Sequence, residues 1–247
     1  MVASPRGDDV TLIDELGAWL SDPAHWTGPD GMVTRTLEHL ALSAFCVVLA
    51  IAIALPIGLW IGHTGRGAAF AIRASNIGQA LPTLGVIGIV WPLTANIEPY
   101  GFDLIPSVLA LTALAIPPIV TNTFAGLRQV DPEAIEAGRG MGMRELQLLR
   151  LIEVPLALPS ILAGLRISAV QVVATATLAA VLGAGGLGRL IIDGIAQQDD
   201  AQLFMGAVLV ASLSILTELG FAGIQRIAIS PGLRGRASAL RESAADA

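Results

Sequence analysis

Arg166 and Glu218 are ionisable residues inside long apolar runs, where a charge is costly unless it pairs or faces water. Arg166 lies 11 positions beyond Pro155, and Glu218 lies 8 before Arg226. On helices rising 1.5 Å per residue, both sit roughly 12–17 Å from the nearer polar ends. Their similar depth leads us to expect an ion pair across the two runs, with snorkelling or contact with a second subunit as the competing reading. Gly183, Gly185 and Gly188 spell G-x-G-x-x-G, which holds a pyrophosphate only after a strand and within a βαβ unit. An apolar helical run precedes them, so the nucleotide reading is rejected. Gly183, Gly185, Gly186 and Gly188 are expected to end that run and allow tight packing at an external mouth.

All fourteen cationic side chains are arginine, so no G-x-x-x-x-G-K-[ST] phosphate loop exists and no ATP site is expected in this chain. His25, His39 and His63 fall outside the apolar runs, and no Ser/His or paired-Asp arrangement lies within them, which argues against an intramembrane enzyme. One thiol, Cys46, with no Cys/His cluster, gives no disulfide and no metal site. A net charge of −6 excludes a basic nucleic-acid surface.

The elements that must position these residues follow from composition. The 247 residues are 54% hydrophobic and 14% charged, with mean hydropathy +0.72. Soluble domains carry about a quarter charged residues. Apolar stretches of about 20 residues each suit a bilayer core, and five occur, near 40–62, 74–97, 104–127, 156–182 and 203–224. The expectation is an all-α membrane protein with five transmembrane helices. With the N-terminus outside, the inner side carries ten arginines (Arg66, Arg73, Arg128, Arg139, Arg144, Arg150, Arg226, Arg234, Arg236 and Arg241). The outer side then carries three, Arg6, Arg35 and Arg189. That asymmetry places loop 128–154 and the C-terminus in the cytoplasm.

Residues 1–38 form an acidic extracytoplasmic segment with no cleavable signal pattern. Leu12, Ile13, Leu16, Trp19 and Leu20 recur there at helical spacing and predict a short amphipathic helix. Residues 39–228 make up the membrane domain. The segment 229–247, small and polar from Ser230 onward, is read as a disordered cytoplasmic tail. Asn76, Gln79 and Thr83 recur at i, i+3 and i+7, one face of a single helix. With Gln171 and Thr175 they are candidates for a translocation path, and interhelical hydrogen bonding explains them equally well. Pro82 is expected to bend the second run. The aromatic content, 4%, gives no tight cage for a quaternary ammonium group.

In the cytoplasmic loop, Asp131, Pro132 and Glu133 form a strong helix start. Gly138, Gly140 and Gly142 then permit a turn, and Met143 to Glu153 reads as a second helix closed by Pro155. The segment Glu136-Ala137-Gly138, three residues, Gly142, nine residues, Ile152, one residue, Val154-Pro155 resembles the signature of binding-protein-dependent ABC importer permeases. It departs only at Gly138 and Val154, where the signature has alanine and leucine. The resemblance implies a type I ABC importer permease bundle whose cytoplasmic coupling helices dock on a nucleotide-binding subunit, with Glu136 as polar anchor and Gly142 as turn. The strings IEAGRGMGMRELQLLRLIEVPLALPSILAGLR, VLGAGGLGRLIIDGI, ALPIGLWIG and NIGQALPTLGVIGI resemble osmoprotectant importer permeases over roughly residues 35–228.

The resemblance further implies transport of glycine betaine, choline, carnitine or proline betaine, with methionine or another amino acid as runner-up. Two ATPase subunits binding ATP-Mg, a second permease, identical or paralogous, and an extracytoplasmic solute-binding protein are the implied partners. A multi-pass place in the cell membrane goes with them. From a different class, the alternative is a channel with no motor, which would have no use for the two-helix loop.

Overall fold

The computed structural model describes residues 12–80 and 82–229, and among them it contains helices and turns but no strand. Helix α1 (Leu12–Ser21) carries the expected amphipathic spacing and is followed by a 3-10 turn, Pro23–His25, capped by Asp22. The long helices α2 (Met32–Thr64), α5 (Leu104–Arg128), α8 (Val154–Thr175) and α10 (Asp200–Ala228) form the body. The shorter α3 (Ala68–Ala80), α4 (Thr83–Thr94), α6 (Pro132–Gly140), α7 (Glu145–Leu148) and α9 (Gly188–Gln197) connect and cover them. The expectations for residues 1–11 and for the tail from Ser230 onward lie outside the described residues.

Helix α5 is the centre, packed on α2 along one side and α8 along another, with α3 and α4 also against it. The reason is small residues in register. Cys46, Ala50, Ala54, Gly58 and Gly62 recur every fourth position on α2 and are all buried. A Cβ at Gly58 would overlap Thr123, and one at Gly62 would overlap Leu127. Gly126 and Gly164 do the same between α5 and α8. Lipid supplies no hydrophobic drive between helices, so this close approach and interhelical hydrogen bonds, averaging roughly 0.6 kcal/mol each, hold the bundle. Among the described residues two such bonds are buried: Ser168 Oγ donates to Ala115 O at 2.7 Å, and the His39 ring meets Val173 O at 2.8 Å.

Among the described residues, four helices are long and apolar enough to cross a membrane: Met32–Thr64, Leu104–Arg128, Glu145–Leu182 and Asp200–Ala228. The second expected span is different. It is a bent pair, α3 and α4, meeting at 94°, and counts as a fifth crossing only if taken together. Pro82 causes the break. It has no amide hydrogen, and its own ψ of 131° is extended.

The helices also overrun the apolar stretches. The first begins at Met32 and ends at Thr64, so Arg35, Glu38, His39 and His63 are helical rather than flanking, and the residues from 32 onward belong to α2 rather than to a separate N-terminal segment.

Pro155 also behaves differently from the expectation. It does not close the loop helix: α7, a π turn (Leu149–Glu153), α8 and a 3-10 stretch (Ala176–Leu182) run as one 38-residue helix. An α-helix would drive the Pro155 ring into the Leu151 carbonyl. The wider turn, in which the Val154 amide donates to Leu149 O, accommodates it.

Candidate functional site

The elbow between α6 and α7 is built locally. Asp131 accepts from the Glu133 amide at 3.0 Å, and Pro132 opens α6. Gly142 has φ +81°, a left-handed conformation that reverses the chain at little cost only for glycine. The Gly142 amide donates to Arg139 O at 2.9 Å and the Met143 amide to Gly138 O at 3.1 Å. Gly138 is buried within α6, where a Cβ would overlap Leu148 and Ile152, so the smaller residue lets the two short helices touch. Across the turn Arg139 forms a two-point pair with Glu145, Nη2 to Oε2 at 3.2 Å and Nε to Oε1 at 3.3 Å. That carboxylate raises the Arg139 guanidinium further above its ordinary value.

Glu136 does not anchor the elbow as expected, because Arg139 and Glu145 do so. Instead Glu136 and Ala137 lie exposed on α6, Glu136 bordering the cavity beneath the elbow. Met141, Leu146 and Leu151 are also exposed, and Leu146 and Leu151 line one shallow pocket together with Arg144 and Arg150.

Beneath the elbow lies a cavity of about 260 Å³ lined by His63, Arg128, Glu136, Arg139 and Glu153, among others. His63 Nδ1 is 2.7 Å from Glu153 Oε2, and its Nε2 is 3.4 Å from Glu145 Oε2. Sequence reasoning missed this cluster. Its two signals were a histidine directly after the apolar run and a carboxylate at the unspecified position between Ile152 and Val154.

Further along, Arg166 on α8 meets Glu218 on α10, with Nε 2.6 Å from Oε2 and a second guanidinium nitrogen on Oε1. Gln225 accepts from Arg166 Nη1 at 3.3 Å. The path candidates are only partly brought together. Asn76 and Gln79 are exposed on α3, while Thr83 opens α4 beyond the 94° break and does not share their face. Gln171 and Thr175 are half-buried on α8. None of these five side chains makes a hydrogen bond within the described residues.

At the opposite end Gly183, φ +94°, terminates the 3-10 stretch, and a Cβ at Gly188 would overlap the Thr177 backbone. The Gly186 amide donates to Glu38 Oε2 at 2.8 Å, and Arg35 binds the same oxygen at 2.8 Å and Asp30 on its other side. A Cβ at Gly185 would collide with that carboxylate. Glu38 was not anticipated as the residue that closes the glycine loop. Among the described residues no cluster of His, Cys, Asp and Glu could hold a metal ion.

A multi-pass helical bundle presenting one glycine-hinged pair of short helices at one end has the form of an importer permease. Residues 54–228 match the family described as binding-protein-dependent transport system inner membrane component, and the chain belongs to that family. It is 36% identical over 194 residues to the carnitine transport permease protein OpuCB of Listeria monocytogenes, covering 78% of this chain and 86% of that protein. It is 35% identical over 204 residues to the glycine betaine/carnitine/choline transport system permease protein OpuCB of Bacillus subtilis, covering 83% and 91%. Among solved structures it resembles an inward-facing MetNI methionine ABC transporter, with a TM-score of 0.71 and 25% identity, covering 85% of this chain and all of that one. The type I importer permease fold is therefore established.

Proposed function

We propose that this chain is the permease subunit through which a small osmoprotectant of the betaine, choline or carnitine type enters the cell, driven by a separate ATPase. The observation that carries the reading is the elbow: Glu136, Ala137, Met141 and Leu146 are exposed on a glycine-turned helix pair whose second member runs without interruption into α8. Apolar residues left exposed on such a segment suit a partner surface, and a continuous helix carries the partner's movement into the bundle. The arginine asymmetry puts the elbow in the cytoplasm and the Glu38–glycine loop outside, where a solute-binding protein would dock. Two ATPase subunits holding ATP-Mg and a second permease complete the assembly, and this chain itself hydrolyses nothing. The relatives with the higher identity are named for quaternary ammonium solutes, which favours that class over methionine.

Co-purification tests the reading. The ATPase subunit should be retained by the wild-type chain and lost on Glu136→Lys, which reverses an exposed charge that makes no hydrogen bond within the elbow. Equal retention by both would refute the docking surface, and solute conduction without any ATPase would refute the permease assignment.

A further inference from the structure

We infer that His63 is a positioning residue that ties the end of α2 to the elbow, so that movement of the loop reaches the first span as well as α8; the inference rests on the permease reading above. Two mechanical routes lead out of the elbow. The first is covalent: α7, the π turn, α8 and the following 3-10 stretch are one helix, so a shift of α7 passes directly along it. Helix α2 has no such continuity, since it ends at Thr64 with Gly65 left-handed at φ +70°.

The link is polar instead. His63, in the last turn of α2, stands between Glu153 of the π turn at 2.7 Å and Glu145 of α7 at 3.4 Å, and Glu145 is gripped by Arg139 of α6 at 3.2 Å. The sequence of contacts Arg139, Glu145, His63, Glu153 thus joins α6, α7, α2 and the π turn. Arg128 and Glu136 face the same cavity. The Nδ1 contact with Glu153 is a hydrogen bond, and Nε2 faces the Glu145 carboxylate at ion-pair distance.

Burial makes the contact obligatory. The Glu153 side chain is 5% exposed, and His63 is the partner that satisfies it. A buried carboxylate stripped of its donor is strongly penalised, so Glu153 and the end of α2 must move together. The π turn that accommodates Pro155 also ends on Glu153, setting it where α2 terminates. Turns of this kind mark places where a helix departs from regular geometry for a local purpose.

The test uses the full complex of permease, ATPase and binding protein in proteoliposomes, with glycine betaine uptake and ATP hydrolysis measured on the same vesicles. His63→Ala should retain the ATPase subunit and hydrolyse ATP within about twofold of wild type, yet lose about tenfold in solute moved per ATP. His63→Asn, whose amide can reach Glu153 from the position of Nδ1, should recover part of that ratio. A purely structural role would lower assembly, uptake and hydrolysis together and leave the ratio unchanged; that result in His63→Ala overturns the inference. Should His63→Ala not assemble, Glu153→Leu, which removes the acceptor, carries the same expectation, and an unchanged ratio there overturns it equally. A wild-type complex that never couples uptake to hydrolysis would instead refute the permease reading, which separates the two failures.

Discussion

Arg166 of α8 and Glu218 of α10 form a two-point ion pair 52 positions apart in the chain, with Gln225 completing the guanidinium's contacts. Both side chains are about a third exposed in the isolated chain, at 35% and 36%. The pair and the Gln225 contact thus join α8 to α10. Removing one member strands the other inside a span, where charge is expensive.

Charge reversal follows from that geometry. Arg166→Glu or Glu218→Arg alone places like charges together and should cost about 2 kcal/mol or more of bundle stability. The double reversal restores the pair. Gln225 can serve either arrangement, because its amide both donates and accepts. Thermal unfolding in detergent reads the difference; a double variant no more stable than either single one would contradict the account.

Much of this was legible because the relevant signals are one-dimensional. Long apolar runs, arginine asymmetry and the spacing from Glu136 to Pro155 need no tertiary information, and depth counting alone brought Arg166 opposite Glu218. The 94° break at Pro82 was only half legible, since the run from residue 74 to 97 stays apolar through it and Thr83 looked in phase with Asn76 and Gln79. Pro155 misled in the other direction: a proline that ends most helices is here absorbed by a π turn, which local propensity does not reveal. The partnerships of His39, His63, Glu38 and Glu153 were invisible because each joins residues 90 or more positions apart.

The two glycines around the elbow should respond with opposite signs. Gly142 has φ +81° and open space around a would-be Cβ, so Gly142→Ala meets strain rather than a clash, at about 1–2 kcal/mol. Gly140 also faces open space but has no positive φ and ends α6, so Gly140→Ala should be neutral or stabilising by a few tenths of a kcal/mol. Melting temperatures of the two variants, measured side by side, check this; equal destabilisation would remove the backbone argument for the turn.

The glycine loop at the other end offers a coupled pair. Gly185→Ala displaces the Glu38 carboxylate and should cost about 1–3 kcal/mol, with the Gly186 amide left unpaired. In a Glu38→Ala background the same substitution has nothing to displace. A double-mutant cycle should therefore show non-additivity of about 1 kcal/mol or more. Simple additivity would mean that the carboxylate does not seat in the loop.

The most direct test of the whole account is ATP-driven uptake of labelled glycine betaine by vesicles containing this chain, its ATPase and its binding protein. Uptake should require all three components together with ATP on the elbow side, and should disappear with Glu136→Lys while the chain itself stays folded. Uptake that proceeds without ATP or without the ATPase, or that survives Glu136→Lys undiminished, would contradict it.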